Sequence, residues 1–460
     1  MRSRISLVLV AVLGLALTAT PAVGGPLAVG ADVVEFGPPT RIGTYPVVDF
    51  GRGAGRGDDR AGTATWRVVE GTGNCCETYP YAAPDGTLYD FGGTFINFTP
   101  DRGRTWFRVT PPTPLVNGEG TLVYAPNGDI LGIGWDPYSG DHLQAYKYDA
   151  AADAWFVEES PLHQPFYDRE WLAVVPGPFT VDGEEVPYIS FVKGGWPTKE
   201  FWLWSSDGLS YRPVSSKVVD RFLSGEAASE PLPIAADANS DWTQPNTNTG
   251  IVPLGAGRAL AAPDAGGGFS IFDPETFSWV GYTFADGSAP EGLFQVDSRG
   301  RLHNVVTSSP PDGFVYRVSS DGGTSWRELT VRTPDGEQIQ ELDFHANGGL
   351  SLAAVAVRAQ RQDGTDRDLV FKLDVSKDRP RLTRRYQVGL GDVGAASGVG
   401  NDSRFDFESV AILPDGRVAV SFLDSTTYEM FPGTNIRRRF VPALAIELRT
   451  SLDPKGRGPR

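Results

Sequence analysis

Acidic residues recur in this chain at a set distance from a turn. Glu77, Glu119 and Glu291 each stand nine residues before a turn glycine (Gly86, Gly128 and Gly300), and Glu408 stands eight before Gly416. Glu170 and Glu341 hold the matching place in two other segments, and one segment offers Asn246 or Asn248 instead. Carboxylates brought together cannot all ionise cheaply, so some keep a raised pKa or hold a cation. Such groups supply a general acid at neutral pH, or oxygen ligands for Ca2+. Carboxylates near turns also accept backbone N–H bonds, so only a subset is expected to meet a ligand.

Two places carry richer chemistry. His163, Tyr167, Asp168, Arg169, Glu170 and Trp171 put acid, base, cation and aromatic side by side, and Asp402, Arg404, Asp406 and Glu408 form a second cluster. Trp135, Asp136, Tyr138, Asp141 and His142, then Trp196, then Asp424 with Tyr428, fall in links expected to reach the same region. Aromatic rings among carboxylates suit sugars, whose apolar faces stack on rings while their hydroxyls bond to acids. Glu170 and Glu408 are the leading catalytic candidates, with Asp168, Asp406 and Tyr428 behind them. The substrate-binding candidates are Arg169, Arg404, Glu77, Glu119, Glu291, Glu341, Trp135, Trp196, Tyr167 and His163. A glycosidase needs two such carboxylates roughly 5–10 Å apart.

Short strands must position these groups. Pro84-Asp85-Gly86, Pro126-Asn127-Gly128, Ser298-Arg299-Gly300, Ala346-Asn347-Gly348 and Pro414-Asp415-Gly416 each sit between two β-rich runs, which is hairpin chemistry. A second pattern appears twice, from Thr99 through Asp101, Gly103 and Thr105 to Trp106, and from Ser319 through Asp321, Gly323 and Ser325 to Trp326. Asp caps its own turn, Gly accepts positive φ, and Trp enters a core, where both Trp106 and Trp326 are expected.

This Ser/Thr-x-Asp-x-Gly-x-Thr/Ser-Trp pattern resembles the Asp-box, or BNR repeat, of sialidase-like β-propellers of the secreted bacterial type. The resemblance implies that Asp101 and Asp321 lie on the face away from the active site and serve folding. It also points to sialic acid chemistry, with an Arg triad, a Tyr–Glu nucleophile pair and an Asp acid/base. The family's early Arg-Ile-Pro motif is not matched, since Arg41-Ile42 is followed by Gly43, so the triad does not transfer.

With each hairpin as strands one and two, and each Asp-box as the link from three to four, blades begin near residues 77, 119, 170, 248, 291, 341 and 408. Fourth strands then open with Trp106, Trp155, Tyr211, Trp279 and Trp326, and the sixth blade lacks the aromatic. The last blade shows three strands, and Thr65–Val69 is expected to complete it and close the ring. The expected fold is all-β: a single β-propeller over residues 59–452, of seven blades, with six as the alternative. Innermost strands line the channel, so the recurring acids ring one of its mouths. Residues 217–247 and 389–405 read as long connections, functional or disordered, 25–58 as extended without clear structure, and 453–460 as a fraying tail.

Composition bounds the function. A net charge of −16 argues against nucleic-acid binding through a basic face. Met1-Arg2-Ser3-Arg4 followed by the apolar run Ile5–Leu17 reads as a secretory signal, cleaved after Ala22 or Gly24 and so occupying residues 1–24. The mature protein is expected outside the cell, with no membrane span. The only cysteines, Cys75 and Cys76, are adjacent, as a vicinal disulfide or two thiols, and four histidines disfavour a zinc site. The expectation is a monomeric, secreted, carbohydrate-active propeller acting on glycans, a glycoside hydrolase of exo-α-sialidase-like type. A polysaccharide lyase is a variant, and a non-catalytic glycan- or protein-binding propeller is the alternative.

Overall fold

In a computed structural model, the described residues are 33–35, 37–43, 47–50, 66–70, 79–91, 95–111, 119–136, 142–158, 162–163, 170–196, 199–214, 231–243, 250–261, 269–282, 284, 291–362, 366–377, 379–393, 409–424 and 441–448. They form seven antiparallel sheets. The inner strands, which number the blades 1 to 7, are Tyr79–Ala82, Glu119–Tyr124, Glu170–Val181, Ile251–Gly255, Leu293–Val296, Gln338–Asn347 and Ser409–Ile412. Each inner strand contacts the next, and the seventh contacts the first, which closes a seven-bladed β-propeller.

Packing explains the strand sequences. Blades stack face to face, so their strands are buried on both faces and read as near-continuous apolar runs. In the second strand of blade 6, Leu352–Gln360, Ala353, Val355, Val357 and Ala359 face the core shared with blade 5. Leu352, Ala354 and Ala356 face the core shared with blade 7. Small residues alternate here because neighbouring blades converge towards the axis.

Four N-terminal strands bind the ring. β1 (Val33–Glu35), β2 (Thr40–Gly43) and β3 (Val47–Phe50) precede β4 (Trp66–Glu70). β4 pairs with Val441–Glu447 as the fourth strand of blade 7, so the expected closure holds. Residues 33–50 depart from the expectation of no clear structure: β1 pairs on blade 2, β2 on blade 1 and β3 on β4. The outermost strand of a blade is otherwise an open sheet edge, and a passing extended segment covers it.

The Asp-boxes behave as turn devices. Asp101 Oδ1 accepts from Thr105 N (2.7 Å) and Arg104 N (3.1 Å), while Thr99 Oγ1 accepts from Gly103 N (2.8 Å). Ser319, Asp321, Gly323 and Ser325 repeat this in blade 5. Ser205, Asp207 and Gly208 repeat it in blade 3, where Tyr211 replaces Trp. In blades 2, 4 and 6, Asp149, Asp273 and Asp374 keep the turn-capping bonds. The glycine is needed twice over. Gly103 and Gly323 have φ of 76° and 84°, and an added Cβ would lie 3.0 Å from Ile446 and 2.9 Å from Phe284. Each Asp-box thus presses on the blade before it. Trp106 is fully buried as expected, whereas Trp326 is only half-buried against Phe284, because it stands at the outer end of that seam.

Deleting residues 1–70 removes β4 and leaves blade 7 three-stranded. Chemical denaturation should then lose its single cooperative transition, while deletion of residues 1–32 alone leaves it in place.

Candidate functional site at the channel mouth

An up-and-down meander places the hairpin turns and Asp-boxes on one face. The starts of the inner strands and the inter-blade links lie on the other. Of the recurring acids, Glu119, Glu170 and Glu291 stand on that second face. Glu119 and Glu170 begin the inner strands of blades 2 and 3, in register with Trp135 and Gly194. Trp196 ends the second strand of blade 3, in register with Lys199, and His163 lies opposite His142 on blade 2. Glu77, Tyr167, Asp168, Arg169, Arg404, Asp406, Glu408 and Tyr428 lie outside the described residues, as do Cys75 and Cys76.

Two of the predicted carboxylates have described side chains, and they differ. Glu291 is exposed ahead of its strand, and its backbone oxygen accepts from Asn304 Nδ2 at 3.2 Å. Glu341 does not open its strand. The strand starts three residues earlier at Gln338, a bulge separates Ile339 from Glu341, and Arg358 Nη2 donates to Glu341 Oε1 at 2.8 Å. The extra turn of chain carries a carboxylate the acid pattern did not flag: buried Glu337 is gripped by Arg367 through Nη2 (2.6 Å) and Nε (2.8 Å), with Arg361 at 3.5 Å. Bidentate guanidinium–carboxylate pairs of this kind hold both groups in place.

Beneath this mouth two aromatics meet. Tyr79 of blade 1 and Trp171 of blade 3 meet edge to face, ring centroids 5.4 Å apart, in front of the inner strand of blade 2. Both are buried, and they form a floor just below the strand starts. Of the rich cluster around Glu170, Trp171 is the member whose side chain is described. Beside it, buried Lys193 lies in register with Trp171 and Trp202, its Nζ 5.8 Å from the Trp202 ring.

Further down, polar side chains of one inner strand reach the backbone of the next. Gln295 pairs with both Ala346 N (2.7 Å) and Ala346 O (3.1 Å). Asp343 Oδ2 accepts from Ser409 Oγ and Val410 N, both at 3.1 Å. His345 Nδ1 accepts from Ile412 N at 2.9 Å. Asp343 thereby anchors the residue next to Glu408. Its signal in the sequence is the alternation Asp343, His345 on a strand otherwise facing a core, which marks a face turned to the axis.

Residues 231–243, part of a segment expected to be a long connection, lie against the turns of blades 4, 5 and 6 at the opposite end. This strap crosses the Asp-box face. Leu232 N donates to Gly322 O of blade 5 and Ala235 N to Leu254 O of blade 4, both at 2.8 Å. At its inner end Asp241 Oδ1 accepts from Ser298 N (2.9 Å) and Gly348 N (2.8 Å), and Oδ2 accepts from Ser298 Oγ (2.7 Å) and Gly349 N (3.0 Å). His345 Nε2 donates to Asp241 O at 2.8 Å. Burial holds the His345 pKa below the usual value, against the pull of Asp241, so the ring is neutral with its proton on Nε2.

One buried carboxyl with a raised pKa is not at the mouth. Glu158 of blade 2 is pushed up to about 7 by burial and then by the charge of Asp207 across the seam with blade 3. Among the described residues no group of three or more His, Cys, Asp or Glu is placed to hold a metal ion, and no helix is long and apolar enough to cross a membrane.

No protein-family model matches the chain, and no curated protein matches it. Several solved structures are similar to it. An ulvan lyase, a polysaccharide lyase bound to -[GlcA(1-4)Rha3S]-, is 12% identical with a TM-score of 0.36, covering 83% of this chain and 93% of that one. The NanB sialidase of Streptococcus pneumoniae is 12% identical with a TM-score of 0.31, covering 82% and 69%. A mutant of the Aleuria aurantia lectin in complex with Fucalpha1-6GlcNAc is 10% identical with a TM-score of 0.35, covering 67% and 88%. Likenesses of this size carry no argument about activity, and the fold stands on the strand pairing of this chain.

Asp241→Ala strands four donors at the end of the strap. It should cost about 2–5 kcal/mol of stability and raise amide exchange across residues 231–243. His345 titrates near 6.5 when unfolded and lower when folded, so its contribution is present above pH 6.5 and falls as the pH drops towards the folded value. Glu158 acts in the opposite sense. It keeps its proton up to about pH 7 in the folded state, so stability falls as pH rises from about 4.5 to 7, and Glu158→Gln should raise the melting temperature more at pH 8 than at pH 5.

Proposed function

We propose that the protein is a secreted, carbohydrate-active β-propeller, a glycoside hydrolase that takes glycan at the mouth ringed by the starts of its inner strands. The observation that carries this reading is the aromatic pair of Tyr79 and Trp171 beneath the strand starts. A site with acids at its rim and aromatics in its floor suits a polyol with apolar ring faces. Glu170, which opens the strand carrying Trp171, is the first acid/base candidate. Glu408 is the second, adjacent to Ser409, which Asp343 holds in place. Asp168, Asp406 and Tyr428 stand next to them in the sequence or in the link to the third strand, and Arg169 and Arg404 are suited to hydroxyl or carboxylate groups of the sugar. The charge of −16 and an acidic rim repel anionic sugars, which favours neutral glycosides over sialosides. The charged-then-apolar N-terminus supports export.

A second reading, a non-catalytic glycan-binding propeller, draws support from Glu341 and Glu337. Both are committed to arginines rather than open to a substrate.

The test is turnover of a panel of neutral aryl-glycosides, aryl-sialosides and polysaccharides by the exported protein. Glu170→Gln and Glu408→Gln should each lower kcat by about 100-fold or more, with the fold intact by circular dichroism. Full activity in both variants sinks the assignment of the acids. Saturable glycan binding without turnover by the wild type selects the second reading.

A further inference from the structure

The strap enters the Asp-box face beside an open groove of about 340 Å³, on the far side of the molecule from the mouth. Pro231 and Pro233 of the strap form one wall, Ile271 and Val280 of blade 4 line the sheet side, and Arg258, Asp273 and Glu275 add charge. Val280 is 49% exposed, the most open of the large apolar side chains among the described residues. Such exposure within a concavity marks a binding surface more often than a lone surface valine does.

The chain itself shows what this wedge accepts. Blades splay apart outwards, and between blades 4 and 5 the gap is filled by Pro231, Leu232, Pro233 and Ile234, with a tight turn at Pro233 in which Ile234 N donates to Leu232 O at 2.8 Å. Leu232 is buried in the inter-blade core with Leu254 and Phe284, and Ile234 packs against the same core. The N–H of Leu232 pairs with blade 5 and that of Ala235 with blade 4. The groove lies against those two prolines on the blade 4 side. Its charge sets a further condition. Asp273 is held below the usual carboxylate range by the Thr276 hydroxyl at 2.7 Å, with Glu275 N at 3.0 Å and Arg258 helping against a small burial cost, so it is ionised at neutral pH. With Glu275 exposed, two negative charges face one guanidinium.

We propose that this groove docks a proline-flanked apolar peptide segment of a partner protein, carrying a lysine or arginine beside its apolar anchor. Apolar contact with Val280 and Ile271 supplies the anchor, and Asp273 and Glu275 select the neighbouring cation. The site is independent of the mouth and leaves its chemistry untouched.

The probe is a fluorescently labelled peptide, acetyl-Lys-Pro-Leu-Pro-Ile-Lys-amide, which repeats the strap's own apolar run between basic flanks. Anisotropy titration against the full-length protein should saturate, and a control peptide with glutamate flanks should bind at least about fivefold more weakly. Val280→Asp should weaken binding by at least about tenfold and Glu275→Lys by about threefold, each with an unchanged melting temperature. Leu382→Asp, which removes another exposed apolar side chain on blade 6, should leave binding unchanged. Absence of saturation up to about 1 mM, or equal binding by Val280→Asp and wild type, overturns the proposal. Concentration-dependent dimerisation that Val280→Asp abolishes overturns it as well, by giving the groove to a second copy of the chain.

Discussion

Every part of this molecule answers one constraint: a β-sheet has edges, and the backbone groups on an edge need partners. Seven separate sheets present fourteen edges, half turned inwards to the channel and half outwards to solvent. Pairing β4 into the last blade stops the array from remaining open. β1, β2 and β3 cover outer edges on blades 2, 1 and 7. Elsewhere the edges are guarded by chemistry, as where Arg327, Glu328 and Arg332 stud the outer strand of blade 5 and discourage pairing with another chain.

The inner edges are satisfied differently, and this shapes the channel. Gln295, Asp343 and His345 each reach the backbone of the following blade, and Asp241 of the strap bonds to turns at the far end. Polar residues near the axis are therefore largely structural. The same holds for the buried chain in blade 5 where Asp297 accepts from Arg301 (2.6 Å) and contacts His303 (3.0 Å), whose other nitrogen meets Tyr316 at 2.8 Å. It resembles catalytic machinery in its residue types, yet every member is buried and lies on the Asp-box side. Burial and face separate it from the mouth more reliably than residue type does.

Much of the fold was legible because Asp-box turns and hairpin turns are local. Asp101 and its neighbours cap one another within a few residues, so their pattern survives in the sequence, and the blade boundaries followed. The register of Glu341 was not legible. A bulge and three extra strand residues depend on how blade 6 packs, and they convert a supposed strand start into a cross-strand partner of Arg358. Glu337 and Asp343 were overlooked for the same reason, since their partners lie 30 and more residues away. The strap is a further case: Pro231 to Thr243 has no strand pattern, and only its fit against turns from three blades gives it order.

By itself the sequence determined the repeat, the propeller and the closing strand, and favoured seven blades over six, because each is set by local turn geometry repeated around a ring. Tertiary structure alone decided the count of seven, that Tyr79 and Trp171, from blades that are not neighbours, meet, and that the strap crosses the turns of blades 4, 5 and 6. Those contacts join residues about 90 to 110 positions apart, and their energy comes from burial and from satisfying distant donors, which no local pattern encodes.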